Sequence, residues 1–200
     1  MVPAVTPASA RTLPVTPSVW CLAGAPGSGK STLGRAVAVR LGACVLDLDT
    51  ATNPLLAQLA ALTGAGDDLD HPSLRGPIRE ARYRCLTDLA AENVQAGRSV
   101  VMIAPFTREV TEPAAWHDLA HRLRPVPPVL VWVAVSPAVA LLRWQRRGHP
   151  RDRSAAVLTD KAVAAGLGRP VVDHLLADGA APTDAEAVRL AGLLRRAGTH

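Results

Sequence analysis

Short apolar runs alternate along this chain with longer segments whose apolar residues recur every three or four positions. Val19–Ala23 is apolar throughout and stops at Gly24, which predicts a strand covered on both faces. Ala43–Leu48, Ser99–Ala104 and Val129–Val135 predict three more strands, and His174–Ala177 a fifth. Between them, Lys30–Leu41 carries Leu33, Ala36, Val37 and Leu41 at helical spacing and stops at Gly42, a residue type that closes helices. Leu55–Leu62 predicts a second helix. Pro77 suits the first turn of a long third one, running to about Ala96 with the stripe Ile78, Ala81, Cys85 and Leu89. Pro137–Gln145 and Asp184–Arg195 predict two further helices, and Thr63–Pro72 a Gly/Asp-rich loop. Strands that do not alternate, separated by helices, predict a single α/β domain with a parallel sheet of about five strands and helices on both faces.

The first strand runs into Gly24-Ala25-Pro26-Gly27-Ser28-Gly29-Lys30-Ser31-Thr32, and the first helix begins inside that segment. The spacing is that of a phosphate-binding loop, G-x-x-x-x-G-K-[ST], between a strand and a helix as the chemistry requires. Glycines let backbone N–H groups turn into a concavity that takes a phosphate. The helix adds the positive end of its dipole. Lys30 is placed to reach the β- and γ-phosphates of ATP, and Ser31 to offer its hydroxyl to Mg²⁺. The chain lacks an Asn-Lys-x-Asp guanine reader and a Leu-Ser-Gly-Gly-Gln-like signature, which argues against GTPases and transporter ATPases. The third strand ends Met102-Ile103-Ala104-Pro105-Phe106 without a carboxylate, unlike the large mechanical ATPases.

Asp47-Leu48-Asp49 follows the second strand. Ligands of open α/β sheets bind at the carboxyl ends of strands, and strand alternation predicts that both carboxylates point the same way. One suits Mg²⁺ or its water; the other suits the proton of an attacking hydroxyl. The alternative is a pair of loop acids or a helix cap.

With the phosphate loop, Leu46-Asp-Leu-Asp-Thr50 resembles the small P-loop kinases: shikimate kinase, gluconate kinase and the kinase domain of polynucleotide kinases. The resemblance implies the strand order 2-3-1-4-5 for residues 19–200, with an acceptor-binding insert at about 50–98 and a lid at about 146–156. It implies Asp47 as the metal-side residue and Asp49 as the substrate-side base, roles the two could exchange. Arg75, Arg79, Arg82 and Arg84 cluster at the start of the long helix. Arg79, one turn before Tyr83, resembles the family's arginine that faces the acceptor; a solvated helical face is the alternative. Arg147-Gly-His-Pro-Arg151-Asp152 resembles the family's lid, which implies that Arg147 and Arg151 contact the transferring phosphoryl group. Phe106, at the end of the third strand, is a candidate for the wall of the acceptor pocket.

The chain has a net charge of +5. Its 22 basic residues are 20 arginines and two lysines, Lys30 and Lys161. Arg143–Arg153 alone holds five arginines against Asp152, so much of the excess sits in the expected lid. Such an excess suits polyphosphate chemistry at a site more than a nucleic-acid surface. No apolar run approaches the ~18 to 20 residues of a membrane span. Residues 1–18, rich in Pro, Thr and Ala, lack the pattern of a secretory signal and are expected to be a disordered leader. Cys21, Cys44 and Cys85 have no metal-site spacing and are expected to be buried free thiols in a reducing, cytoplasmic setting. The composite expectation is an ATP- and Mg²⁺-dependent kinase, monomeric or homodimeric, that phosphorylates a hydroxyl of a small molecule. Two alternatives stand beside it: a polynucleotide 5′-hydroxyl or RNA-modifying kinase, which would bind single strands in a salt-dependent way, and a non-catalytic nucleotide-binding regulator.

Overall fold

β1 (Val19–Ala23) is buried along its whole length, because both of its faces carry a core. Val19, Cys21 and Ala23 enter one apolar cluster, and Trp20 and Leu22 enter the other. A strand so placed has no polar side, hence its unbroken apolar run. The computed structural model describes residues 16–65, 71, 76–147 and 170–197. The sheet contains β2 (Cys44–Asp47), β3 (Val100–Ile103), β4 (Pro128–Ala134) and β5 (Leu175–Asp178) beside β1. All neighbours are parallel, in the order β2-β3-β1-β4-β5. Cys21 lies opposite Met102 on β3 and Leu130 on β4, so β1 is the central strand.

The helices follow from the direction of each crossover. The chain moves from β1 to β2 in one direction and from β3 to β4 in the other, across β1. Right-handed crossovers in opposite directions cover opposite faces. Thus α1 (Lys30–Leu41) and the last helix, α7 (Thr183–Ala197), pack Leu33, Val37, Leu190 and Leu194 on one face. The other face carries α3 (Pro77–Gln95), with Leu86, Ala90 and Val94, and α5 (Pro113–Arg122), with Leu119. α4 (Thr107–Thr111) joins β3 to α5, and α6 (Pro137–Arg147) follows β4.

Several expectations change. The second helix, α2, spans Leu48–Leu62 and so begins a full two turns before Leu55. Pro54 hides that start, because a proline in a helix interior removes one N–H and costs about 3 kcal/mol. The helix nevertheless starts at Leu48, where the Asp47 side chain caps it by accepting the Asp49 N–H. The stripe predicted for α3 is displaced. Leu86, Ala90 and Val94 are the buried residues, whereas Ala81 and Cys85 are exposed. The three thiols are free as expected, but only Cys21 is buried; Cys44 is half-buried and Cys85 is exposed. α4 and α5 occupy a stretch in which the sequence pattern predicts no helix. Burial raises the Cys21 thiol well above its usual range, with a smaller push from the negative charge of Glu109.

Candidate active site

The phosphate loop joins β1 to α1 at the carboxyl edge of the sheet. The Ser28 N–H donates to the Ala25 carbonyl at 3.1 Å, closing a turn, and α1 begins with the Leu33 N–H on the Gly29 carbonyl at 2.9 Å. Gly27 and Gly29 have φ of +80° and +90°, a region where glycine alone is unstrained. At Gly27 space forbids any other residue as well: a Cβ would stand 2.5 Å from the Ala140 carbonyl oxygen of α6. Gly29 is the N-cap of α1 and supplies no side-chain acceptor, so the first N–H groups of the helix lack a side-chain cap. Lys30 Nζ donates to the Ala25 carbonyl at 3.3 Å, so its ammonium is folded over the loop. Ser31 is half-exposed and Thr32 exposed at its rim. A glycine-rich turn, a helix end without a side-chain cap and an ammonium make up the arrangement that accepts a polyphosphate.

The acidic pair is not the same-facing pair on one strand end that alternation predicts. Asp47 ends β2 and Asp49 stands in the first turn of α2. Asp47 Oδ1 accepts the Asp49 N–H at 3.1 Å, so the first carboxylate caps the helix that carries the second. Asp47 Oδ2 accepts from Arg35 Nη2 at 3.2 Å. Arg35 lies one turn beyond Ser31 on α1, so this pair ties the helix of the phosphate loop to β2. Asp47 is 7% exposed and Asp49 58%. Arg82 of α3 donates to Asp49 Oδ1 at 3.0 Å.

Arg79 and Tyr83 turn elsewhere. The Arg79 guanidinium lies 4.2 Å from the centre of the Tyr83 ring and donates to Glu109 Oε2 at 3.2 Å. Tyr83 Oη accepts the Phe106 N–H at 2.9 Å. Burial, then the charge of Glu109, raises the phenol well above its ordinary range. Arg79, Tyr83 and Glu109, with Arg84 and Arg122, border a cleft of about 350 Å³ between α3 and α5. Phe106 is fully buried in the core, its ring 5.7 Å from that of Tyr83, so its side chain lines no open pocket, contrary to expectation. A second cleft, of about 330 Å³, lies beside the phosphate loop among Gly27, Gly29, Thr32, Arg143, Arg146 and Gly179. Across it, Arg143 Nη1 donates to the Gly179 carbonyl at 2.6 Å, tying α6 to the loop after β5. Arg147 is the last residue of α6. Arg151 and the rest of the expected lid lie outside the described residues, as do Arg75 and residues 1–15 of the expected leader.

Arg35, Arg82, Arg143 and Glu109 are the site neighbours that motif spacing does not single out. Arg35 was open to notice, since it follows the loop serine by one helical turn. Arg82 and Glu109 meet their partners only through tertiary packing.

A sheet of order 2-3-1-4-5 with this loop on its central strand defines a P-loop nucleotide-binding domain. The chain belongs to the AAA domain family, which matches residues 19–169. None of the curated proteins matches it. Among solved structures, a sugar kinase from Janibacter sp. HTCC2649 is 19% identical, with TM-score 0.61, over 92% of this chain and 99% of that one. A gluconokinase from Sinorhizobium meliloti 1021 is also 19% identical, with TM-score 0.54, over 92% and 99%. The APS kinase of Mycobacterium tuberculosis is 20% identical, with TM-score 0.57, over 91% and 99%. At these identities the likeness is one of fold: that of the small P-loop kinases. No helix among the described residues is long and apolar enough to cross a membrane.

Proposed function

We propose that the protein is a phosphotransferase that moves the γ-phosphoryl group of ATP to a hydroxyl of a small molecule. One observation carries the reading: the glycine loop with its uncapped helix end and the Asp47–Asp49 pair share the carboxyl edge of the sheet, joined by the Arg35–Asp47 bond. Solved kinases of the same fold support it.

Residues 24–32 hold the phosphates of ATP, with the nucleotide's base in the cleft bordered by Arg143 and Gly179. Lys30 places a point charge against the β- and γ-phosphates. Asp49, exposed at the mouth of the site, takes the proton of the acceptor hydroxyl. The hydroxyl oxygen bonds to the γ-phosphorus as the bond to the ADP oxygen breaks. Arg147 and Arg151 are the lid arginines of this reading and balance the charge on the phosphoryl group. The insert at about 50–98 then receives the acceptor, with Arg79 and Tyr83 on its helix.

The residues also fit Mg²⁺. Ser31 offers a half-exposed hydroxyl, and each Asp47 oxygen keeps a second lone pair beyond the bond it accepts. One hydroxyl and one carboxylate suit a cation that keeps several waters and takes its other oxygens from phosphate. When bound, it neutralises phosphate charge.

The test is transfer from γ-labelled ATP to a panel of sugars, sugar acids, polyols, nucleosides and 5′-hydroxyl oligonucleotides. Transfer to a small-molecule hydroxyl is expected, falling by about 10² or more in Asp49→Asn and lost in Lys30→Ala. Transfer confined to oligonucleotides would replace the acceptor class. Undiminished transfer in Asp49→Asn would remove Asp49 as the base.

A further inference from the structure

One guanidinium serves three side chains on the first turns of α2. Arg82 Nε donates to Thr52 Oγ1 at 2.7 Å, and Nη2 donates to Asn53 Oδ1 at 2.8 Å and to Asp49 Oδ1 at 3.0 Å. Thr52 is buried, and its hydroxyl donates to the Leu48 carbonyl, so its oxygen is left to accept from Arg82. Arg82 is 20% exposed. An isolated surface ion pair contributes little and tumbles freely. This contact is of another kind, because Thr52 and Asn53 anchor a planar fork in one orientation before it reaches Asp49. A carboxylate held at Oδ1 by a fixed donor is restricted in where its other oxygen can face. Arg79, the neighbour on the same helix, is engaged by Glu109 and Tyr83 and does not share this task.

We propose that Arg82 is a positioning residue for phosphoryl transfer, aiming the Asp49 carboxylate at the acceptor hydroxyl. The proposal rests on the reading of Asp49 as general base. In the step it serves, the hydroxyl proton passes to Asp49 and the oxygen bonds to the γ-phosphorus. The bond from that phosphorus to ADP breaks, and Arg82 neither gains nor loses a proton. Misaligned reacting groups lose roughly 10² in rate for a displacement of about 1 Å, so the effect of losing the anchor is measurable.

The experiment is a double-mutant cycle on the full chain, comprising the wild type, Arg82→Met, Asp49→Asn and the double variant, with Arg82→Lys beside them. The rate read is MgATP hydrolysis, in which water stands in for the acceptor hydroxyl, together with transfer to the panel acceptors. Arg82→Met is expected to lower kcat by about 10- to 100-fold while KM for MgATP stays within about twofold. Arg82→Lys, which keeps a charge but not the fork, should recover part of the rate. The double variant should be no slower than Asp49→Asn, because an anchor without its carboxylate has nothing to aim. Wild-type kcat in Arg82→Met would overturn the proposal. So would a double variant slower than Asp49→Asn by the whole Arg82→Met factor, the result expected of a tie that merely holds α2 to α3. If Arg82→Met does not fold, the same cycle is read with Arg82→Lys. Wild-type rates in Asp49→Asn would instead remove the base, and with it this role. A slow Asp49→Asn beside a normal Arg82→Met removes Arg82 alone.

Discussion

The chain's single tyrosine holds the turn that ends β3. Phe106 has φ of +49°, a left-handed conformation that costs a bulky L-residue about 1–2 kcal/mol. Full burial of its ring contributes about 1.5–3 kcal/mol in the other direction, and its N–H finds Tyr83 Oη. Tyr83→Phe keeps the ring and removes that acceptor, leaving a buried amide unpaired. A loss of about 1–3 kcal/mol in urea unfolding is expected. Gly27→Ala is a second test at this scale. Its Cβ would meet the Ala140 carbonyl oxygen, so α6 must shift. A lower Tm and a lost response to ATP are expected together. Motif spacing makes Gly27 readable from the sequence alone. The partner of Tyr83 is not readable, because the amide it accepts lies 23 residues away and only packing brings the two together.

At the scale of elements, caps and ties decide what periodicity leaves open. α2 begins at Leu48 because Asp47 accepts the Asp49 N–H and Arg82 crosses from α3 to hold Asp49, Thr52 and Asn53. Pro54 therefore sits inside a helix that local propensity would stop. The stripe of α3 shifts for a similar reason: the face that meets the sheet is set by where α3 crosses it, and Cys85 turns outward. The closing helix shows the same principle with a titratable group. Glu186 of α7 accepts the Asp178 N–H from the end of β5 at 2.8 Å and both donors of the Arg189 fork. These bonds, that to Arg189 first, hold its carboxyl below the usual glutamate range against the opposing effect of burial. A depressed carboxylate stabilises the fold above its unfolded value of about 4.3 and loses that contribution as pH falls through the lower, folded value. Glu186→Gln should be less stable than the wild type at pH 7. The gap should close on acidification below about pH 4, as read by Tm across pH 3 to 7.

For the whole molecule, ligand linkage is the simplest readout. A nucleotide that binds only the folded chain stabilises it by about 2.7 kcal/mol at a hundredfold excess over Kd. MgATP should therefore raise Tm in the wild type and leave Lys30→Ala unmoved. An equal shift in the variant would show that Lys30 takes no part in nucleotide binding.

The sequence by itself determined the elements that obey a local rule. Glycine spacing placed the phosphate loop, and unbroken apolar runs placed the strands of a sheet buried on both faces. The sheet order came from resemblance to a family and is the order found. Tertiary structure alone decided which arginine meets which carboxylate. Arg79, Arg82 and Arg84 stand within two turns of one helix, and nothing local separates them. The crossing of α3 past α2 gives Arg82 to Asp49, and the turn into α4 gives Glu109 to Arg79. Side-chain reach is short, so contacts between distant residues wait on how the helices pack, whereas a loop closed within eight residues is written in its own sequence.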